Sequence, residues 1–381
     1  MLDESLLDAP EALARADRRE LLRGAAEAGA RVRTAARHAA EAGIAELRPE
    51  GRPRAVLIAG PGTAATGVAD LISALAGASA PVTRLHPTGV APAAGALRWA
   101  LPGWAGSVDL LLIATTDGSE PGLALLAEQA YRRGCTIVAV APQRSPLAEA
   151  VNGVHGMVVP MATAPYELYD ETQAAASPGA FWALFTPLLA LLDRVGLVAA
   201  PSDALESVAD RLDSMAERCG PAIATYSNPA KTLAAELADT LPLIWTEGTA
   251  GPVGRRFAAV IAELAGLPAL SAELPEALPA HGVLLAGGFA AGADPDDFFR
   301  DRVDEPQALR ARVLLLRDRV DGAGALTAAP AARELALSHD TAISELEPEE
   351  GSELETLAEL LAVTDFAAGY LALATSAGAN G

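Results

Sequence analysis

The sequence predicts an α/β protein of two consecutive domains, each a parallel sheet flanked by helices in three layers. Three observations lead there. The 381 residues exceed what one hydrophobic core usually supports. The composition is 51% hydrophobic but only 4% aromatic, with Ala and Leu dominant, which favours helix-containing layers over an all-β sandwich. Short apolar runs that read as strands alternate with helical patterns in both halves, which is the order a parallel sheet requires.

The elements follow in chain order. Residues 1–47 read as two helices, with Leu21, Leu22, Ala25, Ala28, Val32 and Ala36 near a 3.6-residue period and Pro49 ending the run. Ala55–Ala59 is a buried strand that feeds a helix, and the unit recurs at Asp109–Ala114 with helix Gly122–Arg133, then at Cys135–Ala141 with helix Pro146–Asn152. A helix over Phe181–Val195 closes this half, and the junction at Ala199–Asp203 divides domains of residues 1–200 and 201–381. The second half is expected to hold strands at Ala222–Tyr226, Leu241–Trp245 and Val283–Leu285, and helices at Thr232–Ala238, Val253–Leu264 and Glu355–Leu373. Asp294–Glu305 reads as a charged surface segment, Leu346–Leu354 as solvated, and Arg310–Arg317 fits strand or helix equally.

The net charge of −21 and the pI near 4.6 argue against a nucleic-acid partner, since a polyanion would be repelled and the basic residues form no cluster to offset that. No signal peptide or uninterrupted apolar span is evident, and Cys135 and Cys219 suit a reducing compartment, so the expectation is a cytoplasmic protein without a membrane anchor. No metal-ligand spacing and no Gly-x-Ser-x-Gly elbow occurs, and no cofactor is expected.

Two strand-to-helix turns stand out as anion sites. Gly60-Pro61-Gly62-Thr63 follows the first strand, where helix-terminal amides attract negative charge, although a plain tight turn reads equally well. Thr115-Thr116-Asp117-Gly118-Ser119-Glu120 follows the second, and its hydroxyls and amides could cradle a polyoxyanion.

The segment Asp109–Glu120 resembles the phosphate loop of the sugar isomerase (SIS) family, and Arg132–Val140 resembles its crossover to the next strand. Among SIS proteins, the two-domain bifunctional phosphoglucose/phosphomannose isomerases are most similar. Their Asn-Pro-Ala-Lys-x-x-Ala segment stands here as Asn228-Pro229-Ala230-Lys231-Thr232-Leu233-Ala234, followed in order by Leu241–Trp245, Arg256, Leu274-Pro275-Glu276 and Thr364–Leu373. The resemblance implies two SIS domains, a sugar-phosphate ligand, a homodimer, and isomerisation of glucose, mannose and fructose 6-phosphates through an enediol. That chemistry needs a carboxylate base and a ring-opening acid. The resemblance puts these roles on Glu263 and His281, and substrate contacts on Thr115, Thr116, Gly118, Ser119 and Arg256, to which the first strand-to-helix turn adds Gly60, Gly62 and Thr63.

Departures point toward a catalytically degenerate relative that binds a sugar phosphate or a partner enzyme as a sensor or regulator. Lys231 is the single lysine, so the relatives' active-site lysine near the C-terminus has no counterpart. Tyr166 stands where they carry an arginine, and Asp117 where they carry a serine. An extra carboxylate beside a phosphate dianion is unfavourable.

Overall fold

The computed structural model describes residues 2–49, 51–89, 97–163, 178–287, 289, 309–318 and 327–379. Tyr166 and Asp294–Glu305 lie outside these residues. The chain forms two compact units, residues 19–216 and residues 1–18 with 217–381. The sequence places everything before residue 201 in the first domain. In the fold, helices α1 (Glu4–Leu7) and α2 (Pro10–Ala16) pack in the unit built by the second half.

In the unit of residues 19–216, α3 (Leu21–Ala26) and α4 (Ala28–Glu41) precede a five-stranded, all-parallel sheet. The chain runs β1 (Val56–Ala59), α5 (Gly62–Ala76), β2 (Val82–Arg84), β3 (Leu110–Ala114), α6 (Pro121–Arg132), β4 (Thr136–Ala141), α7 (Pro146–Gly153), β5 (Met157–Pro160) and α8 (Pro178–Arg194). The strand order is β2-β1-β3-β4-β5. On one face Leu57, Leu111, Ile113, Ile137 and Ala139 pack against α6 and α7. The other face is covered by α5, with α4 and α8 packed on it. β1 and β3 are buried along their whole length, as continuous apolar runs in a two-sided sheet should be. The 18-residue helix α9 (Ser202–Cys219) that follows is fastened by Arg33, whose guanidinium reaches Glu206, Asp210 and Asp213 at 2.6 to 2.7 Å.

The other unit repeats the plan with four parallel strands, in the order β7-β6-β8-β9. Its elements are α10 (Pro229–Leu237), β6 (Thr240–Glu247), α11 (Gly251–Ala265), β7 (Leu270–Glu273), α12 (Ala277–Ala286), β8 (Arg310–Arg317), α13 (Ala329–Ser338), β9 (Ile343–Leu346) and α14 (Glu353–Ala379). Leu241, Leu243, Trp245, Val313 and Leu315 pack against α12 and α13, while α10, α11 and α14 share the opposite side. Glu353–Thr375 is long and apolar enough to cross a membrane by length and composition, yet its most apolar stretch is buried here, as the core helix of this unit.

Four readings of the sequence change. Residues 1–47 hold four helices, not two. Arg310–Arg317 is the strand β8. Val283–Leu285 is helical within α12, and the reason is visible in its burial: Val283 is 73% exposed while Leu285 is fully buried, which one turn of helix allows and a two-sided strand does not. Ala222–Tyr226 forms no strand, because side chains take its backbone groups. Lys231 Nζ donates to the carbonyls of Pro221 and Ile223 at 2.8 and 2.7 Å, and Asp8 accepts from the Thr225 amide at 2.8 Å.

Candidate functional site

β1 and β3 are neighbours, and their helices leave the sheet in different directions, α5 to one face and α6 to the other. Such a switch point leaves a crevice outside the strand carboxyl ends, where open α/β sheets take ligands. The structure therefore brings the two expected turns together. Gly60 lies so close to β3 that a Cβ on it would meet the Ala114 carbonyl oxygen at 2.1 Å. Gly62, exposed at φ +79°, opens α5, with half-buried Thr63 in its first turn.

The turn after β3 is held together by its own acid. Asp117 Oδ1 accepts from the Ser119 amide at 2.8 Å, and Asp117 Oδ2 accepts from the Ser119 hydroxyl at 3.0 Å. Thr115 Oγ1, buried, donates to Asp117 Oδ1 at 3.4 Å and accepts from the Gly118 amide at 3.1 Å. Gly118 sits at φ +67°, and a Cβ there would meet the Ser145 hydroxyl that caps α7 at 2.4 Å, so only glycine fits. Thr116 is half-buried beside them. Donors expected to face a phosphate are thus bonded to a carboxylate of the same turn.

The second sheet shows the same device. The turn after β6, Gly248–Ala250, leads into α11, and Asp318 at the end of β8 accepts from the Thr249 amide at 2.5 Å and the Thr249 hydroxyl at 2.9 Å. Glu247 accepts from the Ala328 amide and the Thr327 hydroxyl, each at 2.7 Å, at the start of α13. Burial opposes ionisation of Glu247, but these bonds and Arg317 outweigh it and hold its carboxyl below the ordinary value. The sequence reasoning missed Glu247 and Asp318. An apolar strand running into Gly248-Thr249 and a helix was the available signal, identical in kind to that at Gly60.

The remaining expected residues are scattered through the second unit. Glu263 is exposed on the last turn of α11, at the end of that helix away from the strand carboxyl ends. His281 is buried on α12, where its Nδ1 accepts from Trp245 Nε1 at 2.7 Å. Burial pushes the His281 pKa down, so the ring is neutral at pH 7 with its proton on Nε2. Arg256 faces the core and makes a two-pronged pair with Asp365 of α14, at 2.5 and 3.2 Å. Asn228 accepts from the amides of Ala230 and Lys231 at 3.0 Å, capping α10, so the Asn-Pro-Ala-Lys segment fastens the backbone before this helix.

Two parallel sheets of matching strand order, each with turns at the carboxyl ends of its central strands, define an α/β protein of two similarly built units. Residues 226–377, most of the second unit, match the family model for the bacterial phospho-glucose isomerase C-terminal SIS domain. No curated protein matches the sequence. Among solved structures, a candidate phosphosugar isomerase of Silicibacter pomeroyi superimposes with a TM-score of 0.58 at 18% identity, covering 94% of this chain and 98% of its own. The C-terminal domain of glucosamine-fructose-6-phosphate aminotransferase from Francisella tularensis gives 0.52 at 11%, with 94% and 96% covered. Glucosamine-6-phosphate deaminase from Thermotoga maritima gives 0.53 at 11%, with 94% and 95% covered. The likeness to these three is one of fold.

Proposed function

We propose that this chain is a SIS protein of the phosphosugar-isomerase type that recognises a sugar without a phosphate dianion and does not isomerise hexose 6-phosphates. The observation that carries the reading is the Asp117 carboxylate bound to the Ser119 amide and hydroxyl. A phosphate entering this turn would have to displace a tethered anion and then sit beside it. A sugar hydroxyl has no such penalty, because it can donate to the carboxylate. The engagement of Arg256 by Asp365, and of the single lysine by backbone carbonyls, supports the same conclusion.

The second reading is an active hexose 6-phosphate isomerase, and the neutral, held imidazole of His281 favours it, since ring opening can use a neutral imidazole. In that reading Glu263 is the base. Glucose 6-phosphate incubated with the protein in deuterium oxide separates the two. Proton NMR showing no exchange at C2 and no fructose or mannose 6-phosphate supports the first reading. Exchange at C2 above the enzyme-free control sinks it.

We place the protein in the cytoplasm as a homodimer. The buried free thiols of Cys135 and Cys219 fit a reducing compartment, and two-fold pairing is the commonest assembly.

A further inference from the structure

Helix α12 is attached to the second sheet by a narrow line of side chains, and one of them can change its charge. Its buried residues are Ala277, His281 and Leu285, on successive turns, while Pro279, Ala280 and Val283 face solvent. The single polar group on that line has to be satisfied where it is buried. His281 is satisfied through one bond: its Nδ1 accepts from Trp245 Nε1 of β6 at 2.7 Å. Trp245 is fully buried, and its indole has no second acceptor among the described residues.

The bond exists in one protonation state only. An indole N–H donates and never accepts, so Nδ1 must keep its lone pair. Imidazolium carries a proton on both nitrogens, and turning the ring over brings only another N–H or a C–H against the indole. Protonation therefore sets a buried donor against a buried donor and adds an unpaired charge, both costly away from water.

The surroundings do not offset that charge. α12 has no other titratable residue. Arg317 of β8 pairs with Glu247 of β6, Arg312 of β8 with Glu236, Arg333 of α13 with Glu345, and Glu273 of β7 with Arg255. Arg310 of β8, Glu334 of α13 and Glu276 before α12 are exposed, and His339 after α13 is half-buried. Among the described residues none of these moves the His281 titration, which burial alone shifts downward.

We propose that α12 is an acid-released helix: protonation of His281 breaks its bond to Trp245, and α12 leaves the sheet while the rest of the unit stays folded. β6 keeps its pairing with β7 and β8, and α10, α11 and α14 cover the other face of the sheet. In the released helix the imidazole titrates as in an exposed chain, so each pH unit below about 6.5 favours release by up to about tenfold. Release bares Ala277, Leu285 and Trp245 beside the exposed Val283, which enlarges an apolar surface. The switch does not depend on what the turns at β1 and β3 bind.

Hydrogen–deuterium exchange of the full chain, read by mass spectrometry and corrected for the intrinsic pH dependence of amide exchange, tests the proposal. Lowering the pH from about 7.5 to about 5.5 should cut protection over Ala277–Ala286 by about five- to tenfold, while β6 and α14 keep theirs. His281→Asn supplies an oxygen that can accept from Trp245 without titrating, so its α12 should be protected equally at both pH values. If that variant does not fold, His281→Gln serves the same comparison, and the wild-type chain alone decides whether α12 opens by itself. Unchanged α12 protection in the wild type, an equal loss in the variant, or a loss shared by β6 and α14 overturns the proposal.

Discussion

At the scale of single residues, the proposed exclusion of phosphate from the turn after β3 rests on Asp117. The carboxylate satisfies the Ser119 amide and hydroxyl as a bound anion would, and it carries its charge into the crevice. Asp117→Ser removes that charge and restores the hydroxyl seen in related loops. Affinity for inorganic phosphate, measured by calorimetry, should rise by roughly tenfold or more, the scale of one like-charge repulsion in a partly solvated site. Unchanged affinity would show that the turn's own bonds are not what keeps phosphate out. His281 makes a second prediction. Its pKa is lowered in the fold by burial, so below the unfolded value of about 6.5 the unfolded chain binds more protons than the folded one. Stability should therefore fall as pH drops from 7 toward 5, and His281→Asn should flatten that limb of the Tm-versus-pH curve. A wild-type limb that survives the substitution would place the titrating group elsewhere.

Elements are joined by a small number of polar contacts inside apolar packing. Arg256 on α11 and Asp365 on α14 have side chains only 3% exposed, and their pair fastens the two helices on one side of the second sheet. Removing one partner leaves a charge in the core, so Arg256→Met should cost about 3 to 5 kcal/mol in urea unfolding. Arg256→Met/Asp365→Leu should recover most of that loss. If Arg256 instead bound ligand and contributed little to the fold, the single variant would unfold like wild type. Gly60 makes a similar point for β1 and β3. The Ala114 carbonyl leaves no room for a methyl group, so Gly60→Ala must push the strands apart and should lower Tm by several degrees, roughly the effect of a 1 kcal/mol loss or more.

For the whole molecule, assembly is the open expectation that one measurement decides. Val283 and Leu337, on α12 and α13, are 73% and 77% exposed, and a second copy is one way to cover them. Multi-angle light scattering at micromolar protein should give twice the 38.8 kDa chain mass. A mass equal to one chain would remove the homodimer from the proposed function. The acidic surface works against unspecific association, so a dimer would have to form through a specific apolar contact.

What the sequence determined by itself is the layered α/β plan, and with it the SIS resemblance. Runs such as Val56–Ala59 and Leu110–Ala114 are buried on both faces, and a run with no polar position can be read without knowing its neighbours. The edge strands Val82–Arg84 and Met157–Pro160 and the helix over Val283–Leu285 could not be read that way, because short, partly exposed segments take their form from whatever packs beside them. The same division runs through the site. Gly60, Thr115, Gly118 and Ser119 are legible because a strand-to-helix turn imposes a local pattern. Only the tertiary structure decided that Arg256 belongs to Asp365, 109 residues away, and that Asp318 closes the turn 69 residues before it. Charged partners that meet through space leave no spacing in the chain, and it is those partners that determine which groups remain available to a ligand.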